Sequence, residues 1–198
     1  MNLPNKLTVS RFALTAIFLW AVFSRSPIND TLALVFFCIA SITDLLDGII
    51  ARRRNLITSF GKLMDPLADK ILVCSAFIAL VERGRLNPST PVTVEAWMVV
   101  IIVARELAIT GMRLLAAAQN VVLAAERWGK HKTISQIVAI IALLVMDAHV
   151  EWWPWLQAVF KLWIVYFTRG ALWIAVLLTA LSGCIYLWRN RDVYMKDT

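Results

Sequence analysis

Apolar runs of about 20 residues recur along the chain, each long enough to cross a bilayer, and short polar segments separate them. In hydrocarbon every backbone N–H and C=O must be satisfied within the protein, so such a chain folds as spanning helices or as a closed barrel. The runs are continuous rather than alternating, which selects helices. Composition agrees: the 198 residues are 60% hydrophobic, whereas a soluble domain is about 45–50% apolar. We read an all-α, polytopic membrane protein with six transmembrane helices, at roughly 8–23, 31–51, 66–82, 92–116, 132–148 and 169–188. Pro and Gly in SRSPIND and ERGRLNPSTP mark turns between spans. The first run is short, and an interfacial turn around LPNK extends it. Its Lys6 and Arg11 followed by FALTAIFLWAVF look like a signal peptide, but no small-residue cleavage site follows and further spans do, so it reads as a span. Residues 149–168, with Trp152, Trp153, Trp155 and Trp163, suit an interfacial aromatic belt better than a seventh span. The lack of a Pro/Gly/Ser-rich linker favours one domain over 1–198.

The net charge of +7 is informative through its distribution. Lys6, Arg11, Arg52, Arg53, Arg54, Lys62, Arg113, Arg127, Lys130, Lys132, Arg189, Arg191 and Lys196 fall on one side of the six spans. Arg25, Arg83, Arg85, Lys161 and Arg169 fall on the other. The positive-inside rule makes the first side cytoplasmic, with both termini there. Basic residues flanking apolar spans point to orientation and anionic lipid, not to nucleic acid. Cys38, Cys74 and Cys184 lie in apolar spans without any CxxC or Cys/His pattern and read as small buried hydrophobes. His131 and His149 lack ligand-like neighbours and read as non-catalytic.

Against this apolar background stands DLLDGIIARRRNLITSFGKLMDPLADK, residues 44–70. Asp44 and Asp47 are three apart near the cytoplasmic end of the second span, on one helix face. Asp65 and Asp69 are four apart at the start of the third, again on one face. Pro66 suits the first turn of a helix, with Asp65 as its N-cap. Two helix ends at one depth can thus converge on a single site. Four ionised carboxylates close together repel strongly and require cations. Arg52 and Lys70 help but do not surround them. All-carboxylate ligation selects hard ions, Mg²⁺ or Mn²⁺, and four charges match two divalent cations, the usual clamp for phosphoryl transfer. Gly48 and Ala51 allow close approach to the backbone, and Gly61 in the connecting loop can turn near a nucleotide. The alternative, interfacial acids paired with the arginine run, explains the spacing less well.

The full pattern Asp44-x2-Asp47-Gly48-x2-Ala51-Arg52-x8-Gly61-x3-Asp65-x3-Asp69 resembles the signature of the CDP-alcohol phosphatidyltransferases at every specified position. The resemblance implies that the four aspartates hold two divalent cations gripping the diphosphate of CDP-diacylglycerol. It implies that Asp69 is the general base, a choice the residues alone leave open. It places Gly48, Ala51, Arg52, Thr58 and Gly61 around the CDP group. NLPNKLTVSR resembles the family's Asn-x2-Thr-x2-Arg element, which adds Asn5, Thr8 and Arg11 near the diphosphate. A homodimer in the bacterial inner membrane, with a cytoplasmic active site, is implied on the same basis.

The acceptor is addressed by a second group of residues. An intramembrane arginine is costly and usually faces a polar cavity, and Arg105 lies within the fourth span. Adjacent residues on a helix do not face each other, so Glu106 reads as a poor partner for it. In WGKHKTISQ, Lys130, Lys132 and Thr133 open the fifth span and can grip a phosphate at a helix N-terminus, although a positive-inside anchor explains them about as well. Together these residues suggest a pocket for a phosphate-bearing acceptor. Within the family, DPLADK, ARE and GK-x-KT resemble the members that use sn-glycerol 3-phosphate. An inositol phosphate or phosphatidylglycerol would suit similar chemistry, and serine suits it poorly. The rival classes are a divalent-cation transporter, which predicts acids spread through the membrane depth, and a non-catalytic lipid-binding protein.

Overall fold

A computed structural model describes the backbone over residues 3–24, 28–54, 59–87, 90–118 and 128–191. Side chains are described over 10–24, 28–43, 70–87, 90–117 and 131–191. Among the described residues the protein is all-helical, without strands. The elements are α1 (Leu3–Phe23), α2 (Asn29–Arg54), α3 (Ser59–Leu86), α4 (Ala96–Ala118), α5 (Trp128–Ala148), a 3₁₀ turn (His149–Glu151), α6 (Pro154–Lys161) and α7 (Ile164–Arg189). Two helical stretches, His131–Glu151 and Ile164–Arg189, are long and apolar enough to cross a membrane, and Ser10–Phe23 and Asn29–Thr43 are shorter apolar helices.

The side-chain distribution on α7 shows what solvent this fold is built for. Its buried stripe includes Thr168, Leu172, Ala175, Thr179, Ser182 and Gly183 at helical spacing. Its exposed face carries Trp173, Ile174, Leu177, Leu181 and Ile185. Small and hydroxylated residues inward with large apolar residues outward is the arrangement expected where lipid is the solvent. Gln136 of α5 donates to the Thr179 hydroxyl at 2.8 Å, and the Thr168 hydroxyl donates to the Ala142 carbonyl at 3.2 Å. These bonds satisfy polar groups that would otherwise be costly away from water.

Helix α5 packs along α7 and α2, α1 packs along α2 and α3, and α4 packs on α7 and α3. Phe18, Phe37, Phe77, Ile102, Ile140 and Leu144 fill the space between them. The rings of Phe18 and Phe37 meet at 5.4 Å between centroids. Side-chain pairs fix the relative directions of the helices. The starts of α3 and α5 lie at one end, which we term the motif end, and the ends of both meet the start of α2 at the far end.

The far end is tied by long-range polar contacts. Glu151 accepts from the backbone N–H groups of Asp30 (3.0 Å) and Thr31 (2.9 Å) and from the Thr31 hydroxyl (2.6 Å). It thereby serves orphan donors in the first turn of α2, where a carboxylate is also favoured by the helix dipole. Trp152 Nε1–H donates to the Thr31 hydroxyl at 3.0 Å. Arg83 pairs with Asp30 and, at 3.7 Å, with Asp147. The segment after α5 is therefore a buttress. Its α6 has eight residues, about 12 Å, which is too short to cross a bilayer.

Several boundaries differ from the sequence reading. Helix α1 begins at Leu3, so LPNK belongs to the helix itself rather than to a separate turn. Helix α3 begins at Ser59, which places Asp65 and Pro66 inside the helix rather than at an N-cap and first turn. Gly61 likewise lies in the first turn of α3 rather than in a loop. Hydropathy marks where a helix enters hydrocarbon, whereas backbone hydrogen bonding decides where it starts, and the two need not coincide. Pro66 has no N–H to complete the helical ladder, so it marks a point where α3 is free to bend. Helix α7 starts at Ile164, ahead of the expected residue 169. The cysteines are free thiols and less enclosed than expected: Cys38 and Cys74 are half-buried, and Cys184 is exposed on the outward face of α7.

Candidate active site

The signature residues divide between α2 and α3. Asp44, Asp47, Gly48, Ala51 and Arg52 stand in the C-terminal half of α2. Gly61, Asp65 and Asp69 stand in the N-terminal part of α3. The helical backbone puts positions 44 and 47 on one face of α2, and positions 65 and 69 on one face of α3. Their side chains lie outside the described residues, as do those of Asn5 and Thr8 on α1 and Lys130 on α5. Thr58 lies outside entirely. The donor set in this motif is four carboxylates without sulfur or imidazole, which fits Mg²⁺ or Mn²⁺. Among the described residues no group of three or more His, Cys, Asp or Glu is placed to hold a metal ion.

Next to this motif the structure assembles an ionic cluster around Glu106 of α4. The Glu106 side chain is only 2% exposed. Lys70 of α3 reaches its Oε2 at 3.3 Å. Arg105 of α4 reaches Oε1 at 3.1 Å, and Lys132 of α5 hydrogen-bonds the same oxygen. Three helices thus send a cation to one buried carboxylate. A lone buried glutamate would be strongly destabilising, and breaking a buried pair costs about 3–5 kcal/mol. Lys132 is itself buried, so its ammonium and the Glu106 carboxylate neutralise each other away from water.

This arrangement corrects one expectation. Glu106 does pair with Arg105. Adjacent helical positions diverge, but the three-carbon stem of arginine reaches around the helix to a carboxylate that two lysines already hold. The sequence reading therefore missed Glu106 as the centre of this cluster. A signal was available, because a glutamate inside an apolar span demands a partner.

Arg105 is also shaped from its other side. A Cβ added to Gly183 of α7 would fall 2.7 Å from Arg105 Cγ, so only glycine lets α7 approach the arginine stem this closely. Further along α4, Arg113 donates to the Tyr186 hydroxyl at 3.3 Å and lies over its ring. Thr133 is half-buried on α5, close to the buried Lys132. Arg11 is half-buried on α1, and its carbonyl accepts from the buried Thr15 hydroxyl at 2.8 Å. Of the expected acceptor residues, Arg105 and Lys132 are brought together by the structure. His131 is exposed, and His149 Nδ1–H donates to the Met146 carbonyl at 2.6 Å near the far end, away from this site.

A family model for CDP-alcohol phosphatidyltransferase matches residues 1–181, which takes in both aspartate pairs and all three helices of the ionic cluster. The chain belongs to the CDP-alcohol phosphatidyltransferase family. Its relatives agree. It is 40% identical over 201 aligned residues to a Bacillus subtilis protein named CDP-diacylglycerol–glycerol-3-phosphate 3-phosphatidyltransferase, covering 96% of this chain and 95% of that one. A Rickettsia bellii protein of the same name is 35% identical, covering 93% of both chains. A Mycobacterium tuberculosis protein named probable phosphatidylglycerophosphate synthase is 38% identical over 70% of this chain and 64% of that one. As a CDP-alcohol phosphatidyltransferase, the chain has the chemistry to which its paired aspartates pointed: phosphatidyl transfer in phospholipid synthesis.

Proposed function

We propose that the protein transfers the phosphatidyl group of CDP-diacylglycerol to sn-glycerol 3-phosphate, giving phosphatidylglycerophosphate and CMP. The observation that carries the choice of acceptor is the gathering of Lys70, Arg105 and Lys132 on Glu106, next in sequence and space to the aspartate-bearing start of α3. A cationic cluster there suits an acceptor that already carries a phosphate. The names of the Bacillus and Rickettsia relatives point to the same acceptor.

In this reading Asp69 takes the proton from an acceptor hydroxyl. That oxygen attacks the lipid-bearing phosphorus, and the bond from this phosphorus to the CMP oxygen breaks. A base so positioned contributes roughly 10²–10⁴-fold. Asp44, Asp47, Asp65 and Asp69 would hold two divalent cations, Mg²⁺ or Mn²⁺, which offset charge on the phosphoryl oxygens and on departing CMP. Asn5, Thr8, Arg11, Gly48, Ala51, Arg52, Thr58 and Gly61 serve the CDP end of the donor. Arg105, Lys130, Lys132 and Thr133 serve the acceptor phosphate.

We read residues 1–198 as one domain in the bacterial inner membrane, crossing it six times through α1–α5 and α7. Both termini and the aspartates then lie on the cytoplasmic side, where a water-soluble acceptor meets a lipid-linked nucleotide. The short α6 and the basic-residue asymmetry support this topology. The working unit is a homodimer.

The test is CMP release from CDP-diacylglycerol by purified protein with Mg²⁺, across glycerol 3-phosphate, inositol phosphate, serine and phosphatidylglycerol. We expect release with glycerol 3-phosphate alone, and none after chelation of the metal. Release only with another acceptor would overturn the acceptor assignment. No release from folded protein would overturn the reaction.

A further inference from the structure

We propose that Glu106 is a positioning residue for the acceptor: its buried carboxylate holds Lys70, Arg105 and Lys132 in the arrangement that receives the acceptor's phosphate. The inference rests on the phosphate-bearing acceptor proposed above. It assigns a negative residue to the making of an anion site.

The first argument is stoichiometry. Neutralising a buried glutamate takes one cation, and Lys132, buried on α5, already provides it. Lys70 and Arg105 come to the same carboxylate in addition. Three cations gathered at one point are the kind of group that a phosphate monoester near −2 attracts. Glu106 also keeps three like charges from driving one another apart before the phosphate arrives.

The second argument is order. Lysine and arginine are long and flexible, and freezing them at the moment of binding weakens affinity. Here Arg105 is held by Glu106 on one side and by the close approach of Gly183 on the other. Lys132 is enclosed within the bundle. The cradle is therefore set before the ligand enters, which is the condition for well-oriented transfer.

The third argument is connectivity. Lys70 directly follows Asp69 on α3. Helix α3 touches α5 little compared with the broad α5–α7 contact, and apart from this cluster it is tied to α5 by the Arg83–Asp147 pair at the far end. Glu106 thus joins the helix that bears the proposed base to both helices that bear the phosphate ligands. Its loss should disturb the acceptor and leave the nucleotide end, on α1, α2 and the first turn of α3, largely alone.

The test is steady-state kinetics of the purified full-length protein, varying each substrate at saturation of the other, for wild type, Glu106→Gln and Glu106→Asp. We expect Glu106→Gln to raise the KM for glycerol 3-phosphate at least about tenfold, the equivalent of about 1.4 kcal/mol. The KM for CDP-diacylglycerol should stay within about twofold. Glu106→Asp keeps the charge but withdraws it by one methylene, so it should fall between and carries the test if Glu106→Gln does not fold. Thermal stabilisation by glycerol 3-phosphate without the lipid substrate should weaken in the same order. An unchanged acceptor KM, or equal rises in both KM values, overturns the proposal. The wild-type measurement separates this outcome from failure of the functional reading. If wild type uses a different phosphate monoester, the acceptor assignment falls and the variants are judged on that monoester. An enzyme that accepts only alcohols without a phosphate overturns both.

Discussion

At the motif end, among the described residues, the carboxylate of Glu106 meets three cations, Lys70, Arg105 and Lys132. At the far end, about 20 Å away along α3, a single guanidinium, Arg83, meets two carboxylates, Asp30 and Asp147. A third far-end acid, Glu151, is occupied by backbone amides of α2. The same ionic side chains are used in opposite ratio. The far end is closed by the chain's own groups, each acid facing a donor from another element, and it does the work of a clamp. The motif end gathers cations around one acid beside a row of aspartates on α2 and α3, which is where we propose that phosphates enter. Ion pairs in an apolar protein therefore cannot be read as stabilising or functional from their presence. The ratio of signs and the neighbouring motif decide.

The comparison can be broken at either end. The largest effect is expected at Asp69. Asp69→Asn should lower CMP release by roughly 10²–10⁴-fold or more, while tryptophan fluorescence on heating shows an unchanged unfolding temperature. Full activity in this variant would remove Asp69 from its role as base. Next comes Gly183→Ala. The added methyl would meet Arg105 Cγ at 2.7 Å, so the arginine must move, and we expect the acceptor KM to rise by about threefold to tenfold, or about 1 kcal/mol. Donor KM should not follow.

At the far end the pattern should reverse. Arg83→Met leaves Asp30 and Asp147 facing each other, and because the site is partly exposed the expected loss is about 1–3 kcal/mol of stability. Both KM values should stay at wild type, provided the assay runs well below the unfolding temperature. A change in acceptor KM here would erase the distinction between the two ends. The smallest effect is expected for Glu151→Gln. It keeps an acceptor oxygen but removes the charge from the α2 terminus, for about 0.3–1 kcal/mol, visible in thermal unfolding and not in turnover.

How much of this was legible in the sequence differs by type of interaction. Apolar runs report burial in lipid directly, so the helices of the bundle were readable, and Asp44, Asp47, Asp65 and Asp69 were readable as a set because helical spacing is local. The start of α3 at Ser59 was not readable, since hydropathy is silent on helix that continues beyond hydrocarbon. Neither was the role of residues 149–163. Their capping of α2 joins Glu151 to Thr31, 120 residues apart, and no local pattern encodes such a pair. Glu106 lay between the two cases. Its burial signalled a partner, but the helical rule for adjacent residues argued against Arg105, and Lys70 and Lys132 are distant in sequence. Tertiary convergence supplied what periodicity could not.

The Glu151 cap also sets a clock. Ribosomes add about 5–20 residues per second, so the residue that serves the first amides of α2 appears roughly 6–24 s after Thr31, given their separation of 120 positions. Throughout that interval the second helix of the nascent chain must leave those amides to water or to lipid headgroups. Its final cap is available only after the fifth helix has been made.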